Sequence, residues 1–218
     1  LGYNLFGPSG MFYPRGTNRG VMYSAGLWMG GKVSGGGIRI AMAEYTSEFG
    51  PGVMVGTGHD DPVLADHVVW KMHAPLTAAD TAHVEHTPAE LAADQTLDPI
   101  AHHGWGEYLA HAAPHGAPVR TWRLPNTATP DPSDSVDVLG PVVFGAMSTW
   151  SVFNDGDPSL HTSYPGGSAP LNVEVRQTTF AFEVPGQLSR ALFLRWRIVN
   201  RSGQSLDSLR VGVWLDPD

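Results

Sequence analysis

The clearest hydrophobic pattern of this chain lies near its carboxyl-terminal end. Apolar side chains occupy every second position from Leu192 to Ile198, and Arg195 and Arg197 stand between the last three of them. A polar break at 201–205 separates this run from a second apolar-rich run at 206–215. Because successive side chains of a strand point to opposite faces, the pattern predicts two strands joined as a hairpin. Each is expected to bury one apolar face in a β-sandwich.

Similar apolar runs recur upstream, and glycine, proline and acidic residues separate them. Gly35, Gly36 and Gly37 stand between two of these runs and favour a tight hairpin. Short runs with such borders are typical of strands joined by turns. The upstream strands that the sequence predicts are 21–33, 38–45, 67–73, 149–154 and 171–184.

The segment 74–118 differs from the rest because it is rich in alanine and histidine. Thr87 suits the N-cap of a helix, Pro88 its first position, and Glu90 the third, where it closes a capping box. This pattern predicts a helix at 88–94, and a second helical stretch is expected at 103–112. The segment is therefore interpreted as a helical, histidine-rich insertion.

These elements predict an all-β fold, a β-sandwich of immunoglobulin-like or jelly-roll-like type, with a small helical insertion around 87–113. Residues 125–141 are rich in proline, aspartate and serine and are expected to form a loop. A chain of 218 residues is long enough to bury a core and could form one large β domain or two small ones. A single domain spanning 1–218 is expected.

Charge and cysteine content exclude several classes of function. The chain has 13 basic and 21 acidic residues and a formal net charge of −8, so it lacks the basic surface that nucleic acids require. It has no cysteine, which excludes thiol catalysis, disulfides and cysteine-ligated zinc. No apolar run approaches the length of about 18 residues that spans a bilayer, so no transmembrane segment is expected.

Two groups of side chains are candidate metal ligands. Histidines three positions apart share one face of a helix, which places two imidazoles on one metal. Acidic residues of an Asn-Asp-Gly-Asp turn bring together oxygens of the kind calcium prefers, without the EF-hand spacing. Surface histidines and ordinary turn acids are the competing interpretation, so no cofactor is expected and a transition metal or calcium is the alternative. The candidate ligands are His83, His86, His102, His103, Asp155 and Asp157.

Aromatic residues outside the strong strand patterns are candidates for contacts with other proteins, because tryptophan and tyrosine are enriched at interface hot spots. Trp105 stands between two glycines and is expected to be an exposed ring. The contact candidates are Trp105, Tyr108, Trp122, Phe12 and Tyr13.

Tryptophans within apolar strand patterns are instead expected to fill the core, as bulky rings do in sandwiches. These core candidates are Trp28, Trp150, Trp196 and Trp214.

Catalytic motifs are missing from the sequence. It has no Gly-x-Ser-x-Gly, and its glycine clusters lack the lysine of a phosphate-binding loop. The chain is therefore expected not to be an enzyme.

Six short motifs, spread over most of the chain outside 59–113, occur in the same order as in one group of bacterial proteins. They are MYSAGLWMGG at 22–31, EFGPG at 48–52, GAP at 116–118, WSVFND at 150–155, PLNVEVRQ at 170–177 and VGVWLDPD at 211–218. With these motifs the chain resembles the N-terminal β-rich region of large uncharacterised secreted or surface proteins of Gram-negative bacteria, many of which carry a C-terminal sorting domain. Its terminal pair of strands resembles the immunoglobulin-like modules of bacterial adhesion proteins. The resemblance implies a β-sandwich outside the cytoplasm and brings no catalytic residues.

We therefore expect a non-catalytic structural or scaffolding protein of the bacterial periplasm or cell surface that acts through protein–protein contacts. It is expected either in a surface assembly or as a membrane-extrinsic subunit that braces a larger envelope complex. The expected partners are other proteins of that assembly, with peripheral association to a membrane complex and no nucleic acid. The alternative function is a metal- or carbohydrate-binding surface module.

Overall fold

The structure is a computed structural model, and it describes residues 11–12, 19–54, 69–74, 78, 81, 105–129, 131, 133–162 and 167–217. About half of it, 51%, is strand in several antiparallel sheets, with one short α-helix. The predicted all-β, sandwich-like fold is confirmed. None of the helices in these ranges has the length and apolar character needed to cross a membrane.

The strands are numbered in chain order. The first six are β1 Met11–Phe12, β2 Gly20–Met22, β3 Ser24–Val33, β4 Ile38–Met42, β5 Gly50–Pro51 and β6 Trp70–His73. The next six are β7 Val119–Pro125, β8 Ser135–Pro141, β9 Met147–Asn154, β10 Val173–Ala181, β11 Leu192–Asn200 and β12 Leu206–Asp216.

These strands form four sheets. A five-stranded sheet has the order β11-β10-β9-β5, and β6 also pairs with β9. A three-stranded sheet has the order β12-β3-β4. Two further sheets have two strands each, β7 with β8 and β1 with β2. In the three-stranded sheet, β12 therefore lies at one edge and β4 at the other.

The predicted carboxyl-terminal hairpin is wrong, although both of its strands exist. Strand β11 pairs with β10, whereas β12 pairs with β3, so the two consecutive strands belong to different sheets. The connection between them is held at both ends, since the N–H of Arg201 donates to the carbonyl of Asn172 and the N–H of Ser34 donates to the carbonyl of Ser205. Alternation specifies a strand and its faces, but it does not specify which strand lies beside it.

The glycine-rich hairpin is confirmed. Strands β3 and β4 pair in antiparallel register, with Lys32 opposite Ile38. The turn between them closes where the N–H of Val33 donates to the carbonyl of Gly37. Gly35 has φ of 72°, a left-handed conformation that a residue without a Cβ adopts at little cost.

The loop predicted at 125–141 is wrong in its second half. Ser135–Pro141 is strand β8, and it pairs along its whole length with β7. The connection is closed where the N–H of Asn126 donates to the carbonyl of Asp134, and the Asn126 amide also donates to the Asp134 carboxylate. Proline and aspartate therefore mark the turn of a hairpin, and the valines after them form its return strand.

The helical part of the 74–118 insertion is described from Trp105 to His115. It comprises α1 Trp105–Glu107, a π-helical turn Tyr108–Ala112 and a 3-10 turn Ala113–His115. Gly116, with φ of 90°, ends it in the left-handed conformation common after helices. This confirms the second predicted helical stretch, while the helix predicted at 88–94 lies outside the described residues.

The chain divides into two compact units, and the prediction of a single domain remains a prediction. One unit comprises Leu1–Ala65, Phe153–Val175 and Ile198–Asp218, and the other Asp66–Val152 and Arg176–Arg197. The described core of the first unit includes Leu27, Met29, Val33, Ala41, Leu171, Val173 and Val175. The described core of the second unit includes Trp70, Met72, Trp105, Tyr108, Leu124 and Trp150.

Candidate functional site

Strand β12 carries a row of exposed apolar side chains. Val211, Val213 and Leu215 share one face of the strand because they are spaced by two. Their exposed fractions are 47%, 51% and 57%. We call these three residues the β12 row. Isolated exposed apolar residues are ordinary on protein surfaces, but a contiguous row of them indicates a contact site.

The β12 row lies on the same face of the sheet as the core of its unit. Val213 lies opposite Leu27 of β3, and Val211 lies opposite Met29. Opposed residues of an antiparallel pair point to the same face. Leu27 and Met29 are buried, whereas their neighbours on β12 are half exposed. The core-facing side of the sheet is therefore covered at β3 and uncovered at β12.

The opposite face of β12 carries polar and aromatic side chains. The hydroxyl of Tyr45 donates to Oδ2 of Asp216 at 2.9 Å, and this bond is the main reason that the pKa of Tyr45 is raised. The Tyr45 ring also meets the ring of Trp214 edge to face, with centroids 5.0 Å apart. Arg210 lies on this face near the start of the regular part of the strand and is exposed.

Two of the predicted contact residues are buried. The expectation that Trp105 is exposed is wrong, since only 4% of it is accessible, and Tyr108 is fully buried. Trp105 packs against Trp122 and lies directly over Gly140, where the lack of a side chain makes room for the indole. The Tyr108 hydroxyl donates to the carbonyl of Pro118. Both rings hold the helical segment onto the β7–β8 hairpin.

The other contact candidates have different surroundings. Trp122 is half-buried, and its indole N–H donates to the carbonyl of Pro141. Phe12 lies in β1, and its side chain is outside the described part of the structure, as is the whole of Tyr13. Among the predicted core tryptophans, Trp150 is buried as expected, whereas Trp28 is 37% exposed, so that prediction is wrong for Trp28. Trp196 and Trp214 are half-buried.

The described residues contain no group of three or more histidine, aspartate or glutamate side chains placed to hold a metal ion. Four of the candidate ligands, His83, His86, His102 and His103, lie outside these residues. Asp157 caps a 3-10 turn, Pro158–Leu160, by accepting the N–H of Ser159.

Asp155 serves the backbone instead of a metal. Its Oδ2 accepts the N–H of Leu171 and its Oδ1 accepts the N–H of Val173, both at 2.6 Å. The carboxylate is fully buried, and burial raises its pKa, while the two backbone bonds act in the opposite direction. Asp155 therefore fixes the start of β10 beside the end of β9.

His161 lies between two buried acids. Its Nε2 is 3.0 Å from the carbonyl oxygen of Asp155, and because a carbonyl only accepts, Nε2 carries a hydrogen. Its Nδ1 faces Oε2 of Glu48 at 3.9 Å and has no hydrogen-bond partner among the described residues. That same Glu48 oxygen accepts the N–H of Met42, and burial raises the pKa of Glu48.

Glu48 and His161 face each other in a buried setting, where burial favours the neutral form of the Glu48 carboxyl and so raises its pKa. At most 4% of either side chain is accessible, so this cluster supports the backbone rather than meeting a ligand.

A third buried acid belongs to the polar interior of this unit. Glu174 is fully buried, and its Oε2 accepts the N–H of Met54. The guanidinium of Arg201 lies 3.3 Å from both of its carboxylate oxygens. Alternation along 171–184 places Glu174 on the face opposite Val173 and Val175, and alternation does not distinguish a solvated acid from a buried, paired one.

No family model matches the chain, and neither a curated protein nor a solved structure matches it significantly.

The residues of the β12 row alternate in the sequence, and this alternation predicts that their side chains lie in the core. Pairing with β3 as an edge strand is what makes these residues a surface.

Proposed function

We propose that this chain is a non-catalytic structural protein that works outside the cytoplasm through protein–protein contacts. The observation that carries the proposal is the β12 row, which is exposed on an edge strand. A strand edge also offers unpaired backbone N–H and C=O groups to a neighbouring strand. An exposed apolar row beside such an edge suits the addition of a strand from another chain.

The chemistry of the row favours protein over the alternative ligands. Valine and leucine side chains bind other aliphatic side chains by excluding water, at about 25 cal/mol for each Å² of apolar surface buried. They lack the flat aromatic faces on which sugar rings stack and the oxygen and nitrogen donors that metals need. The row therefore suits a protein strand better than a glycan or a metal ion.

The location rests on the resemblance to secreted and surface proteins of Gram-negative bacteria. In the periplasm or at the cell surface, the chain would be part of a surface assembly or a membrane-extrinsic subunit that braces an envelope complex. Contact through a strand edge suits both settings, because it joins rigid sheets without a catalytic site.

Site-specific photo-crosslinking in the cells that produce the protein tests the proposal. A photoreactive phenylalanine replaces Val213 in one variant, and Leu188 in the control. Leu188 is an exposed leucine of similar accessibility, 52%, in the 3-10 turn Gln187–Arg190. The expected result is one discrete crosslinked species from position 213 in the envelope fraction and none from position 188. Equal, diffuse crosslinking from both positions, or none from 213, would overturn the proposal.

A further inference from the structure

We infer that the strand that covers β12 is β12 of a second copy of this chain, paired antiparallel about a two-fold axis at Val213. The inference rests on the proposed function, because it names the partner of the same contact surface. Its basis is that the regular part of β12, from Arg210 to Asp216, is complementary to itself when reversed.

The two ends of this segment carry opposite charges. When Val213 lies opposite the partner's Val213, Arg210 lies opposite the partner's Asp216, and symmetry repeats the pair. Opposite charges on directly opposed strand positions stabilise a pair. Two such pairs would flank an apolar centre.

The positions between the charges are also complementary. Val211 lies opposite the partner's Leu215, so the apolar rows of both copies join on one face. Gly212 lies opposite the partner's Trp214. A Cβ built at Gly212 would have only one heavy atom near it, 4.0 Å away, so an indole has room there. Aromatic rings packed over glycine on a neighbouring strand are an established way to stabilise sheets.

Other registers lose this complementarity. If the pairing shifts by one position, the apolar rows of the two copies lie on opposite faces of the joined sheet. A slip by two positions keeps the faces but separates Arg210 from the partner's Asp216. The charges therefore select the register centred on Val213.

The regular segment of β12, which lies wholly within the described residues, carries few of the features that protect an edge strand from such pairing. Natural edge strands carry lysine, proline or bulges that discourage the addition of another strand. Strand β12 has neither lysine nor proline. Its one register shift against β3, between Asp207 and Arg210, lies before the regular segment, which pairs with β3 without interruption from Arg210 to Asp216.

Single cysteine variants test the register, because the chain has no cysteine of its own. Opposed Cβ atoms in an antiparallel pair are about 4.5–5.5 Å apart, near enough for a disulfide after small shifts. Val213→Cys is therefore expected to form a covalent dimer under mild oxidation. Leu215→Cys is the matched control, since it lies on the same face with similar exposure. In this register the Leu215→Cys thiols of the two copies are four positions apart, roughly 13 Å along the strands.

The expected result is a dimer from Val213→Cys at least tenfold faster than from Leu215→Cys. A mixture of Val211→Cys and Leu215→Cys is expected to form the mixed disulfide in preference to either homodimer. Sedimentation of the unmodified chain should show twice the monomer mass at high concentration. Arg210→Asp should weaken that association, and Arg210→Asp combined with Asp216→Arg should restore it.

Equal rates from Val213→Cys and Leu215→Cys, or a wild-type chain that stays monomeric at every concentration, would overturn the inference. A monomer whose β12 amides are already protected from exchange also overturns it, because the chain then covers its own edge. If position 213 photo-crosslinks to a different protein in cells, the pairing with a second copy is wrong and the proposed function stands. If position 213 contacts nothing in cells, both are wrong.

Discussion

Val213 lies directly opposite Leu27 across the β3–β12 ladder, yet 51% of Val213 is exposed and only 5% of Leu27. Both side chains point to the same face of the sheet, so the difference arises from what covers them. Leu27 belongs to the core of its unit, whereas Val213 lies one strand farther out, at the edge. An apolar side chain in that position is stabilised only when another surface meets it.

A charged side chain at Val213 should block the contact without harming the fold. Val213→Lys is expected to change the free energy of unfolding by no more than about 0.5 kcal/mol, as surface substitutions usually do. It should remove association, because lysine on an edge strand disfavours addition of another strand. Urea unfolding and sedimentation velocity measure the two effects. Leu188→Lys makes the same chemical change at an exposed leucine outside β12 and should leave association intact.

The buried carboxylate of Asp155 should be essential for stability. Asp155→Asn replaces one acceptor oxygen with an NH₂ group that faces a backbone N–H, so one of the two bonds is lost and two donors meet. Hydrogen bonds to charged groups contribute roughly 1.5–3 kcal/mol each, and an unsatisfied buried donor costs a similar amount. We expect a loss of about 2–4 kcal/mol in urea unfolding.

Asp157→Asn is the matched control for this prediction. It changes the neighbouring acid of the same turn, where asparagine caps a helical turn about as well as aspartate. We expect it to cost less than about 1 kcal/mol. Equal losses from both variants would show that the two backbone bonds of Asp155 are not what stabilises this turn.

Glu48 should make stability depend on pH. Burial raises its pKa above the ordinary value of 4.5, so the folded chain holds this proton more tightly than the unfolded chain. The stability it contributes is fully present below pH 4.5 and is lost as the pH rises through the raised pKa. Asp155 has a shift of the same sign and acts in the same direction.

Glu48→Gln removes one of these two titrations. The free energy of unfolding of this variant minus that of wild type should therefore increase as the pH rises above 4.5, because only wild type loses the stability that the Glu48 proton contributes. Urea unfolding at a series of pH values measures the difference. Glu183→Gln, at an exposed carboxylate, controls for the change in net charge. A Glu48→Gln difference that is constant across pH would contradict the prediction.

Two glycines beside Trp105 should respond oppositely to alanine. A Cβ at Gly140 would lie 2.0 Å from the Trp105 ring, so Gly140→Ala forces the indole out of place. Such overpacking typically costs about 1–3 kcal/mol. A Cβ at Gly106 meets nothing within 4 Å, and alanine is the better helix former there. Gly106→Ala should raise the melting temperature slightly while Gly140→Ala lowers it.

Strands and their pairing could be predicted from the sequence where two strands and the turn that joins them are adjacent in the chain. The Gly35–Gly37 turn gives the β3–β4 hairpin because the turn and both strands are adjacent in the chain. The partners of β11 and β12 could not be predicted, because they lie far away in sequence and alternation is compatible with any neighbour. The strand at Ser135–Pro141 was missed because proline, glycine and aspartate within and before it outweighed its valines.

The candidate site was harder to predict for the same physical reason. Exposure of Val213 depends on which strand lies beside β12, and the local alternation of apolar residues does not indicate that neighbour. The glycines on both sides of Trp105 favour an exposed ring, whereas Gly140, far away in sequence, makes room for its burial. The role of Asp155 depends on its closeness to Leu171 and Val173, which a turn motif does not reveal.

Hydrogen–deuterium exchange of β12 tests the central claim most directly, that this edge contacts another chain. The comparison is between the dilute isolated chain and the chain in its native assembly, read on peptides from β12 and from β4. The amides of β12 that face away from β3 should become strongly protected in the assembly, while β4, the opposite edge of the same sheet, stays unchanged. Unchanged exchange in β12, or equal protection of both edges, would contradict the account.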